Sequence, residues 1–281
     1  LYKNVAGTAL VFEEVNHSLG LTYCYAWRSS DAFGLVKTSW LVNSGTSPCS
    51  IELLDGLQNL LPANISPNTQ NEFSQLLDAY KRAEVDAAIG LAIFSLNATL
   101  SDLAEPSESL LATTVAQLGL ERAEYLVSSA QLDRFRSGQG ITLEAETRGQ
   151  RGAYFVHTTL ALAPGAEQTW HLVAEVSQDS ADIVRLARRL RGDRPGLLAE
   201  IERDIEAGTA ALKDLVASAD GLQASGSALT DARHFANVMF NCMRGGVFFD
   251  QYQVEAKDFA AFVTGRNRVV HATHADFFAA L

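Results

Sequence analysis

The sequence predicts an α+β fold in which a large antiparallel β-sandwich is followed by an all-helical segment. From about Ala9 to Ser177, short runs typical of strands are separated by gaps of hairpin length. This pattern favours a sandwich over alternating βα units. After Ser177 the apolar residues recur with the period of a helix. We therefore predict a β-sandwich domain over residues 1–180 and a helical linker region over residues 181–281.

The predicted strands are runs rich in β-branched, aromatic and aliphatic residues. They are residues 9–15, 21–27, 33–43, 88–101, 109–118, 123–130, 141–147, 153–163 and 169–177. One helix is predicted to interrupt them over residues 70–84, because Phe73, Leu76, Leu77 and Tyr80 fall on one helical face.

The predicted helices of the C-terminal part are residues 181–190, 195–217, 231–243 and 256–281. Two start signals support them. Asp193 precedes Pro195, which suits the first turn of a helix, and Thr230 precedes Asp231 as a predicted N-cap.

Composition and charge exclude several classes of protein. The net charge is −11 and the isoelectric point is about 5.0, so phosphate backbones and anionic lipids are repelled. No apolar run approaches the roughly 20 residues of a membrane span. We expect neither a nucleic-acid partner nor a membrane partner. Cys24, Cys49 and Cys242 are odd in number and lack metal-ligand spacing, which predicts free thiols and a cytoplasmic protein.

Histidines and carboxylates on the predicted strands suggest one catalytic alternative. Opening a hemiacetal needs one group to give a proton and another to take it. His157, His171, Glu144 and Glu175 lie on or beside strands and have the required chemistry. A free-standing aldose epimerase-like enzyme is therefore an alternative to a non-catalytic sandwich, although a single strand histidine is more typical of structural packing.

The sequence predicts no metal and no cofactor. His271 and His274 are three residues apart on a helical pattern, but the third ligand of an HExxH-type site is missing. The chain has no phosphate-binding glycine loop before a helix and no GxSxG elbow.

The stretch HFANVMFNCMRGGVFFDQYQ, residues 234–253, carries a polar stripe beside its apolar one. The stripe has an imidazole, two amides and a guanidinium at helical spacing, without the Lys or Glu typical of a solvated face. Either it bonds to loops of the same chain or it docks another domain. The candidate binding or docking residues are His234, Asn237, Asn241, Arg244, Phe248, Phe249 and Asp250.

The ends of the sequence favour the docking alternative. The chain begins at Leu1 without a methionine and ends on the amphipathic HADFFAAL, which has no capping residue, glycine or proline to stop it. We therefore expect this chain to be part of a longer protein.

Three stretches carry a resemblance to a known family. They are VFEEVNHSLGLTYCYAWRSSDAFGLVKTSWLVN, IELLDGLQNLLPANI and FNCMRGGVFFDQYQ. With a sandwich followed by helices, they resemble the N-terminal part of the cellobiose phosphorylase-like glycoside phosphorylases. The resemblance implies a galactose mutarotase-like supersandwich and linker helices that precede an (α/α)6 catalytic barrel.

The same resemblance implies where the chemistry lies. In this family a barrel aspartate protonates the glycosidic oxygen while phosphate attacks the anomeric carbon. This chain has no room for the barrel, so no catalytic residue is assigned to it. The implied partners are the barrel of the same polypeptide, a carbohydrate substrate and, in the parent, phosphate. Phosphorolysis, hydrolysis and transglycosylation stay open, as do a homodimer and a carbohydrate-binding or dimerisation module.

Overall fold

The computed structural model describes residues 1–99, 109–245 and 253–281. The described strands are β1 (Tyr2–Lys3), β2 (Ala9–Asn16), β3 (Leu21–Ser30), β4 (Gly34–Asn43), β5 (Cys49–Leu60), β6 (Lys81–Asp86), β7 (Leu91–Leu96), β8 (Ala112–Leu118), β9 (Glu124–Ser128), β10 (Glu146–Arg148), β11 (Gly152–Leu162) and β12 (Glu167–Gln178). The described helices are α1 (Pro67–Glu72), α2 (Ser74–Tyr80), α3 (Leu132–Arg136), α4 (Ser180–Arg191), α5 (Arg194–Ser218), α6 (Ala228–Met243), α7 (Ala256–Arg266), α8 (Arg268–Thr273) and α9 (Ala275–Ala280).

The strands form two antiparallel sheets. Within the described residues, the large sheet has nine strands in the order β1-β2-β3-β4-β12-β8-β7-β6-β10, and the small sheet has three in the order β5-β11-β9. β12 pairs with β4 on one side and with β8 on the other. The predicted α+β class, with large antiparallel sheets followed by helices, is confirmed.

The main core lies between the two sheets. Alternation along β12 directs Trp170 and Leu172 toward the small sheet, and alternation along β11 directs Tyr154 and Val156 toward the large one. These side chains are fully buried. Burying apolar surface at about 25 cal/mol per Å² is the main force that holds two sheets face to face.

The opposite face of the large sheet is covered by helices. Leu197, Ile201 and Ile205 recur every four residues along α5 and pack with Val36 and Leu118 of the sheet. The apolar spacing predicted from the sequence therefore marks the buried stripe of this helix.

Helices α4 and α5 begin at polar caps. Asp179 accepts hydrogen bonds from the Ala181 and Asp182 amides at 2.8 Å, which forms a capping box at α4. Asp193 accepts from the Gly196 amide at 2.9 Å at the start of α5, as its position before Pro195 predicts.

The chain divides into two compact units. One comprises residues 1–3 and 9–208, and we call it the sandwich unit; the other comprises residues 4–8 and 209–281, and we call it the helical unit. The helical unit has its own small core, formed by Ala6, Val216, Ala219, Phe235 and Val238.

The helix predicted over residues 70–84 is wrong in its extent. The structure instead has α1, a break at Phe73, α2, and then strand β6 from Lys81. Ser66 caps α1 by accepting from the Thr69 amide at 3.0 Å. The apolar spacing of this segment suits a helix, but pairing of β6 with β7 overrides it after Tyr80.

Further elements differ from prediction, including the helix expected over residues 256–281, which the structure divides into α7, α8 and α9. The strand expected over residues 141–147 is limited to the short β10. Thr230 lies inside α6, whose N-cap position is Ser227. The long strand β5 was not among the predicted strands. It contains Asp55-Gly56, a dipeptide more typical of hairpin turns. Gly56 instead permits close approach of β11, since a Cβ there would lie 2.1 Å from the Tyr154 carbonyl oxygen.

A buried carboxylate joins the two sheets. Asp55 of β5 accepts from the Tyr23 hydroxyl at 3.1 Å, the Ser39 hydroxyl at 3.2 Å and the Trp170 indole nitrogen at 2.7 Å. It also accepts from the Lys37 ammonium, with which it forms an ion pair. All four donors lie on the large sheet. The carboxylate therefore keeps its charge inside the core by filling its acceptor positions.

Replacing Lys37 by methionine should leave the Asp55 charge unpaired in the core. Lys37 and Asp55 side chains are 6% and 10% exposed, and breaking a buried pair costs roughly 3–5 kcal/mol. We expect urea denaturation to show a loss of about 3 kcal/mol in the free energy of unfolding. Arg136→Met is the control, because its pair with Asp133 is 70% and 96% exposed and should change stability by less than about 0.5 kcal/mol. Equal effects of the two variants would contradict this role of Asp55.

Candidate functional site

The polar stripe predicted on residues 234–244 lies on α6 and its C-cap. His234 Nε2 donates to the Asp220 carbonyl oxygen at 2.8 Å. The Asn241 amide donates to the Asn237 oxygen at 3.4 Å, and the Arg244 guanidinium lies 4.9 Å from the centre of the Phe240 ring. His234 and Asn241 are half-buried, whereas Asn237 and Arg244 are exposed. The stripe is partly bonded within the helical unit and partly free to meet solvent.

Large apolar side chains are exposed beside the stripe and along the helices that follow. Met243 is 77% exposed and Phe240 53%. On α7 to α9, Phe262 is 61%, Val269 75% and Phe277 53% exposed. Single exposed hydrophobic residues are ordinary, whereas contiguous exposed apolar patches are typical of interaction sites.

Three of the candidate residues lie outside the described part of the chain. They are Phe248, Phe249 and Asp250. Their assignment as docking residues therefore stays a prediction, as does the docking role of the four stripe residues.

His157 lies on the outer face of the small sheet between two carboxylates. Its Nε2 is 3.0 Å from a Glu52 oxygen, and its Nδ1 is 3.2 Å from a Glu124 oxygen. The edge of the Phe135 ring packs against it at 5.8 Å between ring centres. Both carboxylates are more than half exposed, so this arrangement is an open surface and not an enclosed catalytic cavity.

His171 lies on the helix-covered face of the large sheet. Its Nδ1 is 3.0 Å from the Thr38 hydroxyl. Arg28 donates to the same hydroxyl at 2.6 Å and to both Glu202 oxygens at 2.5 Å. Burial lowers the pKa of His171 from 6.5 to about 4, and the hydrogen bonds from Arg28 lower the pKa of Glu202. His171 is thus held neutral in a structural network that fixes α5 on the sheet.

The two acidic candidates for an epimerase have structural partners. Glu144 accepts from the Val127 and Ser128 amides at 3.0 and 2.9 Å. Glu175 accepts from the Val176 amide at 2.9 Å. Among the described residues, no hydrogen bond or ion pair joins His157 or His171 to either carboxylate. The geometry therefore does not bring the four predicted residues together as an acid and a base.

A cleft missed by the sequence analysis opens at one end of the inter-sheet core. Its volume is about 300 Å³, and it is lined by Glu14, Asn16, Leu19, Leu21, Tyr23, Leu41, Ile51, Leu53, Leu54 and Asp55. Burial and the Asp55 charge raise the pKa of Tyr23 well above its usual value of 10. The signal present in the sequence was a lone aspartate within the apolar run IELLDGL.

The described residues form neither a metal cluster nor a membrane-spanning helix. Residues 1–99, 109–245 and 253–281 contain no group of three His, Cys, Asp or Glu side chains arranged to hold a metal ion. His271 instead stacks on Phe278, with ring centres 4.5 Å apart. None of the described helices is both long and apolar enough to cross a membrane.

Comparison with known proteins gives distant structural likenesses. No protein-family model matches the chain, and no curated protein matches it. A candidate kojibiose phosphorylase from the human microbiome is similar over 75% of this chain and 24% of its own, with 10% identity and a TM-score of 0.43. This chain thus spans about a quarter of that protein.

Two shorter proteins are also similar. A candidate aldose 1-epimerase from Escherichia coli K12 is similar over 60% of this chain and 64% of its own, with 12% identity. A galactose mutarotase-like protein from Clostridium acetobutylicum is similar over 60% and 62%, with 11% identity. Both TM-scores are 0.24. Sequence identities and TM-scores this low do not indicate the activity of this chain.

The lowered pKa of His171 predicts a pH-dependent stability. Between pH 6.5 and about 4 the unfolded chain binds a proton that the folded chain excludes, so stability falls as the pH falls through this window. The loss from this group is roughly 3 kcal/mol and is complete near pH 4. Urea denaturation of the His171→Gln variant should show a correspondingly smaller loss across the window. An unchanged pH dependence in that variant would contradict the assignment.

Proposed function

We propose that this chain is a non-catalytic N-terminal segment of a carbohydrate-active enzyme. In this proposal the sandwich unit is a rigid scaffold, and the helical unit docks the catalytic (α/α)6 barrel of the same polypeptide. The observation that carries the proposal is the exposed apolar surface of α6 to α9. A cytoplasmic location belongs to the proposal, since Cys24, Cys49 and Cys242 are free thiols.

The chemistry of α6 supports docking against another protein surface. Phe240 and Met243 supply apolar area beside Asn237 and Arg244, which are exposed. Arginine and asparagine make directional hydrogen bonds to a neighbouring backbone, whereas lysine and glutamate lose more hydration when covered. An apolar centre bordered by such groups is typical of protein interfaces.

The proposal that the parent enzyme acts on carbohydrates rests on the three stretches that resemble the glycoside phosphorylases. The parent then cleaves or forms a glycosidic bond, by phosphorolysis, hydrolysis or transglycosylation, with phosphate as a partner in the first case. An aldose epimerase-like enzyme is the alternative of another class. It would need histidines and a carboxylate within reach of one cavity, and His157 and His171 lie on different sheets with separate partners.

The isolated chain should not catalyse reactions of glycosidic bonds. The acid that protonates the leaving oxygen is assigned to the barrel, so incubation with cellobiose and phosphate should release no sugar phosphate. Mutarotation of glucose, followed by polarimetry, should stay at the uncatalysed rate. Sugar phosphate release would overturn the proposal. Mutarotation that is abolished by His157→Ala or His171→Ala would establish the epimerase alternative.

Arg244→Ala should separate docking from internal packing. Arg244 is exposed, so the free energy of unfolding of this chain should change by less than about 0.5 kcal/mol. The same change should reduce the activity of the parent enzyme, measured as product release, because the docked face loses a directional contact. Arg188→Ala is the control, because it removes the same charge from an exposed position of α4, away from the stripe.

Two outcomes would contradict the docking role of Arg244. One is a loss of roughly 3 kcal/mol in this chain, as expected when a buried pair is broken. The other is a parent enzyme in which Arg244→Ala and Arg188→Ala have equal effects.

A further inference from the structure

The cleft beside Asp55 has the shape and lining of a small-molecule site. Its volume of about 300 Å³ is at the lower end of the roughly 300–1,000 Å³ of such sites. Leu21, Leu41, Ile51 and Leu53 form apolar walls between the sheets. The cleft therefore offers a largely apolar surface of a size that suits one sugar ring.

Polar groups of the cleft are fixed before any ligand enters. Asp55 receives four donors on two oxygens, which fills the roughly four acceptor positions of a carboxylate. The Tyr23 hydroxyl gives its proton to Asp55, and its oxygen lies 3.4 Å from the Ser39 hydroxyl, so one of its two lone pairs stays available to a donor in the cleft. Tyr23 is thus a positioned acceptor.

Two more polar side chains border the same cleft. Glu14 lies directly opposite Tyr23 in the pairing of β2 with β3, and Asn16 lies opposite Leu21. Both line the cleft and are exposed. The Asn16 oxygen accepts from the Leu19 amide at 3.0 Å, which leaves the amide nitrogen of Asn16 as the group that can donate to a ligand. The cleft therefore combines two acceptors and one donor above apolar walls.

We propose that this cleft binds one pyranose ring of a neutral carbohydrate. A pyranose presents C–H groups to apolar walls and hydroxyl groups to the Tyr23 oxygen, the Glu14 carboxylate and the Asn16 amide. Phosphate and other anions do not fit, because Glu14 is acidic and the Lys37 charge is neutralised by Asp55. The inference extends the proposed function by giving the scaffold a carbohydrate contact of its own.

A quaternary ammonium ligand is a poorer match. Such ligands need the open face of an aromatic ring. The Tyr23 ring lies 6.1 Å from the Trp170 ring in a stacked arrangement and 5.8 Å from the Tyr25 ring. The Trp170 ring therefore stacks on one face of Tyr23, and that face is not open to a cation.

The test is titration of the purified chain with glucose, galactose, methyl β-glucopyranoside and cellobiose. Trp170 donates to Asp55 and stacks near Tyr23, so tryptophan fluorescence and calorimetry both report occupation. We expect saturable binding of at least one sugar with a dissociation constant on the order of 1 mM, as for a ligand of about twelve heavy atoms.

Matched variants locate the binding. Glu14→Ala should weaken binding about tenfold through loss of an acceptor. Glu13→Ala, on the opposite face of the same strand, should leave binding unchanged. Leu53→Trp should abolish binding by filling the cleft. Near-ultraviolet circular dichroism shows whether each variant folds. If Leu53→Trp does not fold, the comparison of Glu14→Ala with Glu13→Ala still tests whether the sugar binds in the cleft.

Three results would overturn the inference. They are no saturable binding of any of the four sugars, equal effects of Glu14→Ala and Glu13→Ala, and binding of tetramethylammonium in place of the sugars. None of them bears on docking by α6, so failure of this inference and failure of the proposed function are distinguishable.

Discussion

The buried charge of Asp55 is the constraint on which the sandwich depends. A carboxylate in an apolar core is costly unless its oxygens are filled, and the donors that fill them lie on the large sheet. The small sheet must therefore pack on the large sheet in the one alignment that places Asp55 opposite Tyr23, Lys37 and Trp170. A shift of β5 by one residue would turn the carboxylate to the outer face. Hydrophobic burial holds the sheets together, whereas this charge specifies their alignment.

The two units use their polar residues in different ways. In the sandwich unit, His171 and Glu202 are committed to neighbouring side chains that hold secondary structure in place. In the helical unit, Asn237 and Arg244 remain exposed among apolar side chains. Groups already satisfied within the chain are poor candidates for chemistry on a substrate. This contrast is consistent with a scaffold that carries an interaction surface.

Much of the fold was predictable because periodicity is a local property. Most strands and the helices α4, α5 and α6 lie close to the predicted ranges. Strand β5 was not predicted, and the partner that stabilises it, β11, is about a hundred residues away in the sequence. The predicted end of the helix that precedes β6 was wrong for a similar reason. Pairing with β7, and not the local helix propensity, places Lys81 in a strand. The cleft was not predictable, because its walls come from strands whose alignment only the Asp55 contacts define.

The position of β12 has a consequence for how the molecule folds. β12 lies between β4 and β8 and is the last of the described strands. The meander β1 to β4 and the strands β6 to β8 therefore precede in the sequence the strand that joins them, and each group has an unpaired edge until β12 is in place. Closure by so distant a strand is a non-local step of the kind that slows folding, and unpaired sheet edges are sites of aggregation.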